Sequence, residues 1–348
     1  MECAGDGRMR LAILDDYQGV ALQIVDWSRV PQVAVVPFRD HVYDEDQLVS
    51  RLADFEAVMR IRERTEFSRG LLERLPRLKL ILATGMRNAR SLDLQAADDL
   101  GITVSTTDAL HQTTVEVTWA LILSLMRRLP QETASVRAGG WQVGLGQGLA
   151  GKTLGVIGLG NMGVPVARIA KILGMQVVAW SRNLTPERAT PHDVECVSKD
   201  ALFRRSDVVT IHLPLSDTTE GTVGAQEIAA MKRTAFLINT ARPQLVDERA
   251  LISALQTGHI AGAGLDVFNI EPLPDDHPFR SLPNVLATPH IGFATEENMR
   301  TFFEQSLENL AAYIRGKPIN RISAAQPFLP ESQVAKQMHA QGLAKADV

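Results

Sequence analysis

At 348 residues, 45% apolar and 22% charged, the chain has the make-up of a soluble globular protein with room for two domains of ~150 residues each. A formal net charge of −4 leaves no basic footprint for nucleic acid, no apolar run nears the ~20 residues of a membrane span, and residues 1–9 lack the apolar core of a signal peptide. The two cysteines, Cys3 and Cys196, have no metal-ligand neighbours, which speaks against a disulfide, a metal site or a reactive thiol and fits a reducing cytoplasm.

Short β-branched runs alternate with helical patterns, the βαβ signature of a parallel sheet. Strands are expected at Arg10–Leu14, Gln32–Phe38, Ala57–Arg60, Leu78–Leu82 and Ile102–Ser105, with amphipathic helices at Glu45–Ala53 and Ser68–Leu75. A long apolar-faced helix, Thr113–Arg128, is expected to end at Pro130. A glycine-rich stretch, Gly139–Gly151, leads into a second series of strands at Thr153–Gly158, Gln176–Trp180, Val208–His212, Ala235–Asn239, Gly262–Val267 and Val285–Pro289. A last helix, Glu296–Arg315, carries the chain back onto the first domain; beyond Ala324 the pattern is weak. The expected plan is one domain (109–298) inserted into another (1–108 and 299–348), with the two long helices as hinge.

Gly158-Leu-Gly-Asn161-Met162-Gly163 fits G-x-G-x-x-G, with a strand before it and an amphipathic helix, Val164–Leu173, after it. The first glycine allows the tight turn, the second lets backbone approach a pyrophosphate, and the third lets helix pack on strand. The helix N-terminus then offers N–H groups and a positive dipole end to the phosphates. An acid that would grip the ribose 2′-OH of NAD is missing after the next strand, which reads Ala179-Trp-Ser181-Arg182-Asn183. A serine hydroxyl and a guanidinium suit a 2′-phosphate, so the reading leans to NADP over NAD; Arg182 pointing to solvent or stacking on adenine stays open.

Three further strands end in polar residues, where open α/β sheets bind ligands: Asn239–Arg242, Asp266–Pro272 and Thr288–Gly292. With the glycine loop, Gly151–Gly158, His212-Leu-Pro214-Leu, Leu245-Val-Asp-Glu and Pro289-His-Ile-Gly292, these segments resemble the D-isomer-specific 2-hydroxyacid dehydrogenases from about Arg10 to Arg321. That resemblance implies an α/β protein of two doubly wound parallel-sheet domains, a Rossmann NAD(P)-binding domain inserted into a flavodoxin-like substrate-binding domain. It also implies hydride transfer between NAD(P)H and a small 2-oxo acid. Arg242 falls on the family's substrate-anchoring arginine, Glu271 on its acid and His290 on its histidine. A guanidinium can hold a 2-oxo acid's carboxylate bidentately, and a histidine oriented by a carboxylate can give the alkoxide its proton. Asp266 falls on the aspartate near the nicotinamide amide, with a strand-end cap as the other reading. His212 and Pro214 fall on the cofactor loop, Thr240 and Ala241 approach the cofactor through backbone, and Gly292 closes the histidine motif.

The family's carboxylate-receiving loop reads Thr84-Gly85-Met86-Arg87-Asn88 here, without the usual second glycine, and Arg87 adds a charge that serves either substrate or solvent. Pro243-Gln244 stands where the family has glycines after the arginine, which stiffens that loop. Both departures bear on which acid is reduced, with a glyoxylate or hydroxypyruvate type favoured. Glu271 argues against a formate dehydrogenase, whose histidine pairs with glutamine. The different-class alternative is a cofactor-binding regulator of the same superfamily with little dehydrogenase activity. The resemblance further implies a homodimer, formed through the cofactor domain and its long Thr113–Arg128 helix.

Overall fold

The computed structural model describes residues 7–85 and 91–329. In chain order the first elements are β1 (Met9–Leu14), β2 (Val33–Pro37), α1 (Glu45–Leu52), β3 (Ala57–Arg60), α2 (Arg69–Glu73), β4 (Leu80–Ala83), α3 (Leu94–Asp99) and β5 (Thr103–Thr106). Then come α4 (Gln112–Met126), α5 (Leu129–Arg137), β6 (Thr153–Ile157), α6 (Gly163–Ile172), β7 (Gln176–Trp180), α7 (Pro186–Ala189), β8 (Glu195–Cys196) and α8 (Lys199–Arg205). The rest are β9 (Val208–Ile211), α9 (Ala225–Ala230), β10 (Phe236–Asn239), α10 (Glu248–Gln256), β11 (Gly262–Leu265), β12 (Val285–Ala287), α11 (Glu296–Ile314) and β13 (Arg321–Ile322). The described residues divide into two compact units, one running to Leu110 and resuming at Thr295, the other His111–Ala294.

In the first unit the strand order is β13-β5-β4-β3-β1-β2, parallel except for β13. Because β1 is flanked by β2 and β3, the topological switch point lies there, in the flavodoxin-like manner. Helices α1, α2 and α3 start where Asp44, Ser68 and Asp93 accept hydrogen bonds from N–H groups of their first turns. They bury Leu48, Leu52, Leu71, Leu72, Ala96 and Ala97 in a core with Ala12, Leu14, Val58, Ile81 and Val104. The alternate strand residues, such as Leu11, Ile13, Met59 and Leu82, are also buried, so both sheet faces are covered. Helix α11 packs on β4 and β5 and buries Phe302, Phe303, Leu307 and Leu310.

The second unit holds a fully parallel sheet of order β12-β11-β10-β9-β6-β7-β8, with its switch point between β6 and β9. Strand residues alternate between two cores. Leu154, Val156, Val177, Val208 and Ile238 meet α4 and α6, while Ile157, Val178, Val209 and Leu237 meet α8, α9 and α10. The long helix departs from expectation. Pro130 does not stop it: α4 ends at Met126, Arg128 takes a left-handed conformation at φ 54°, and Pro130 sits in the first turn of a new helix, α5. A proline there forgoes only an N–H that the first turn leaves unbonded anyway. Among the described residues no helix is long and apolar enough to cross a membrane.

Candidate active site

The sequence-predicted residues of the second unit all stand at the carboxyl edge of its sheet. Along that edge come His290 after β12, Asp266 and Glu271 after β11, and Thr240, Ala241 and Arg242 after β10. His212 and Pro214 follow β9, the glycine loop follows β6, and Ser181 and Arg182 follow β7. Parallel neighbours lie ~4.8 Å apart, so Arg242, Glu271 and His290 leave three adjacent strand ends within ~10 Å.

The glycine loop fits a dinucleotide on three separate grounds. Gly158 takes φ +96°, and a Cβ there would stand 2.9 Å from the His212 backbone. At Gly163 a Cβ would fall 2.0 Å from the Gly158 carbonyl oxygen, which is how helix and turn come so close. Gly160 differs: its φ is not left-handed and a Cβ would meet nothing within 4 Å. Neither strain nor the protein's packing calls for glycine there; open space for an approaching pyrophosphate does. Helix α6 begins at Met162 and Gly163 with no side-chain cap and no acid in its first turn, so its N–H groups and positive dipole end face that space. Asn161 is exposed at the turn. Arg182 is exposed as well, and its Nη2 donates to the Thr218 carbonyl at 2.8 Å, which links the loops after β7 and β9 across the end of β6. Burial pushes His212 down to about 4, so its ring is neutral at pH 7, with Nε2 3.0 Å from Thr210 Oγ1.

The chemistry end is built around a dyad. His290 Nδ1 lies 2.7 Å from Glu271 Oε2, while Glu271 Oε1 accepts from the Phe268 N–H at 2.9 Å. A carboxylate beside Nδ1 fixes the proton on that nitrogen and leaves Nε2 facing away from it. His290 itself has φ +51°, the left-handed region that few residues other than glycine enter, though histidine does so more often than most. Asp266 holds the segment that contains it. Asp266 Oδ1 accepts from Thr288 Oγ1 (2.6 Å) and Ile291 N (2.8 Å), and Oδ2 accepts from Gly292 N (2.8 Å). Three of the four acceptor positions of that carboxylate are therefore taken, and one on Oδ2 remains. Burial raises the Asp266 pKa against the opposing pull of these bonds and of His290. Gly292 fits for the same reason, because a Cβ would press on Asp266 Oδ2 at 3.0 Å.

Arg242 rides on a turn shaped by Asn239, whose Oδ1 accepts from Ala241 N and whose Nδ2 donates to the Arg242 carbonyl. The Arg242 guanidinium donates to the Ala241 carbonyl at 2.7 Å. Pro243 opens a short 3-10 turn, Pro243–Leu245, a position its fixed φ suits. Two threonines one turn apart on α4, unremarked in the sequence, brace both loops. Thr114 Oγ1 donates to the Gly292 carbonyl at 3.1 Å. Thr118 Oγ1 donates to the Thr114 carbonyl, so in its 2.8 Å contact with Thr240 Oγ1 the donor is Thr240. Their sequence signal was a hydroxyl pair at i and i+4 on a largely apolar helix.

In the first unit Thr84 and Gly85 follow β4, where the Thr84 N–H donates to the Arg60 carbonyl at 3.2 Å and the Gly85 N–H to Thr107 Oγ1 at 2.9 Å. Both residues anchor the loop. Met86, Arg87 and Asn88 lie outside the described residues, as does Cys3. Among the described residues no group of three or more His, Cys, Asp or Glu is arranged to hold a metal ion.

Residues 119–292, half the chain, match the family described as D-isomer specific 2-hydroxyacid dehydrogenase, NAD binding domain. A glyoxylate reductase of Aeropyrum pernix is 40% identical over 71% of this chain and 76% of its own. A D-3-phosphoglycerate dehydrogenase of Methanocaldococcus jannaschii is 36% identical over 84% of this chain, which spans little more than half (56%) of that relative. Among solved structures, a phosphoglycerate oxidoreductase from Vibrio cholerae superposes with a TM-score of 0.84 at 36% identity, covering 88% of this chain and 99% of that one. None of these names supports the regulator reading. The chain belongs to the D-isomer-specific 2-hydroxyacid dehydrogenase family and is an oxidoreductase that works with a nicotinamide cofactor.

Proposed function

We propose that the protein reduces a small 2-oxo acid of the glyoxylate or hydroxypyruvate type to its D-2-hydroxy acid, preferring NADPH, with Arg242, Glu271 and His290 as the catalytic set. The observation that carries this reading is the 2.7 Å His290–Glu271 contact on the strand next to the one that bears Arg242. The unit His111–Ala294 is the cofactor domain in this reading, and the other unit binds substrate. When bound, the nicotinamide cofactor supplies the hydride. Arg242 holds the substrate carboxylate and draws electron density from the neighbouring ketone. His290 Nε2 gives its proton to the ketone oxygen, and Glu271 keeps the ring in place through its contact with Nδ1. In the oxidation direction the same nitrogen takes the proton back.

The remaining acceptor position on Asp266 suits an N–H of the nicotinamide amide, and Thr240 presents lone pairs rather than a proton beside it. Ser181 and the unspent donors of Arg182 favour a 2′-phosphate. Met86 and Arg87 are proposed as the substrate-facing part of the loop after β4. The relatives named glyoxylate reductase favour glyoxylate over larger acids. Oxidation of NADH and NADPH followed at 340 nm against glyoxylate, hydroxypyruvate, pyruvate and phenylpyruvate tests all of this. Turnover of a 2-oxo acid is expected, with kcat/KM higher for NADPH. A His290→Gln variant should lose roughly 10²–10⁴-fold in kcat with cofactor binding kept. Inertness toward every acid, or unchanged turnover in that variant, rejects the assignment.

A further inference from the structure

Glu271 is carried by a segment, residues 267–277, that forms neither helix nor strand. Its bond from the Phe268 N–H lies within that segment, so it shapes the turn without placing it against the sheet. Toward the two ends Phe268 and Phe279 are buried in the core that also holds Leu251 and Leu255 of α10. Helix α10 makes a second, polar connection through Glu248, its first residue. Glu248 Oε2 accepts from Asn269 Nδ2 at 3.0 Å, and Oε1 lies 3.6 Å from His277 Nε2. His277 Nδ1 accepts from the Phe279 N–H at 3.2 Å, so the ring's proton sits on Nε2, the nitrogen beside that carboxylate. One side chain thus clasps the segment on both sides of Glu271. Glu248 belongs to Leu245-Val-Asp-Glu, a motif that the hydride chemistry leaves without a part. Asp247 serves as the cap of α10, accepting from Ala250 N at 3.0 Å. An acid in a first helical turn is favoured by the dipole wherever it points, and partly exposed polar contacts add little stability. Neither effect accounts for a carboxylate that reaches two residues of one loop.

We infer that Glu248 is a positioning residue for the reaction: by clasping Asn269 and His277 it holds the segment between them so that Glu271 stays on His290 Nδ1. The inference rests on the proposed role of the His290–Glu271 dyad. Its test is a double-variant cycle in which Glu248→Ala, Glu271→Gln and the two together are compared with wild type. The readouts are steady-state kinetics with glyoxylate, cofactor binding, thermal melting and hydrogen exchange of the Phe268 amide, which Glu271 accepts. Glu248→Ala should lower kcat about tenfold with KM for glyoxylate within about twofold, the split expected when a group acting in the transition state is disturbed. Its cofactor Kd should stay within about twofold and its melting temperature within about 2 °C. In a chain that already carries Glu271→Gln the same change should lower kcat less than about twofold, because no carboxylate remains to be placed. Glu248→Gln, which keeps an acceptor for Asn269, should fall between wild type and Glu248→Ala. An unchanged kcat in Glu248→Ala, equal losses in both backgrounds, or melting temperature and cofactor binding lost together overturns the role. Should wild type reduce no 2-oxo acid, the functional reading falls, and exchange alone decides on Glu248: a Phe268 amide that exchanges no faster in Glu248→Ala rejects it. Should Glu248→Ala not fold, Asn269→Ala removes one arm of the clasp at an exposed position and decides by the same cycle.

Discussion

Asp266 and His212 show what single side chains do behind the dyad. With its three accepted hydrogen bonds Asp266 keeps Thr288, Ile291 and Gly292 around a His290 whose backbone is in a disfavoured region. An amide at position 266 has one oxygen and two N–H groups, so at least one of those donors would face a donor. Asp266→Asn is therefore expected to cost about 1–3 kcal/mol of stability and to lower kcat more than it raises the cofactor KM. Denaturation and kinetics of the variant check this, and a stable variant with normal kcat would show that His290 needs no such brace. His212 makes a pH prediction. Its folded pKa of about 4 lies below the ordinary 6.5, so between those values the unfolded chain takes up a proton that the folded one refuses. The resulting stability is present above pH 6.5 and fades as pH falls toward 4. For a ring that keeps some exposure the loss is roughly 1–3 kcal/mol. Urea unfolding at pH 7 and 4.5 should show His212→Gln losing less with acid than wild type; equal losses would remove His212 from the account. Of these residues, His290, Glu271, Arg242 and Asp266 were legible because ordered motifs mark them. Asn239, Thr114 and Thr118 were not, since an amide or hydroxyl acquires its part only once distant loops converge on it.

Elements were legible wherever burial on both faces made a strand mostly apolar, as in β4, β9 and β10. Legibility failed where local chain geometry overrode pattern. The α4–α5 break depends on one left-handed arginine, and the two-residue edge strands β8 and β13 carry no periodicity at all. The glycine loop lies between these cases: its motif is plain, but only the structure separates its three glycines. Gly163→Ala would force a Cβ to 2.0 Å from a backbone oxygen and should destabilise the second unit by several kcal/mol, on the order of the worst overpacking. Gly160→Ala meets no protein atom, so it should leave the melting temperature within about 2 °C of wild type. The methyl would instead stand where the phosphates approach, and dinucleotide Kd should rise about tenfold or more. Calorimetry of both variants with NADH and NADPH separates the two. If Gly160→Ala binds cofactor normally, the open space above it belongs to something other than the pyrophosphate.

At the scale of the molecule the unsettled surface is the one after α4. Half of that helix is spent on the sheet, through Val115, Thr118, Trp119, Leu121, Ile122 and Met126. Apart from Leu123 on the helix, the large apolar groups left exposed here lie beyond its end: Leu129, Val136, Trp141, Val143 and Leu145, the last at 95% exposure. Trp141 through Leu145 sit in a stretch without helix or strand, tied back by Ser135 Oγ donating to the Trp141 carbonyl and by the Val143 N–H on Glu132. Isolated exposed apolar residues are ordinary, but several large ones on one segment make it a candidate association surface. The homodimer that the family resemblance implies is therefore expected to involve α5 and residues 141–145. Closed two-fold pairing would set this segment of each protomer against the same region of its partner. A dimer is expected by sedimentation at micromolar concentration. Trp141→Ser with Leu145→Ser should shift it to monomer while circular dichroism stays that of the folded chain, because neither side chain belongs to a core. A monomeric wild type, or a double variant that remains dimeric, would move the contact elsewhere.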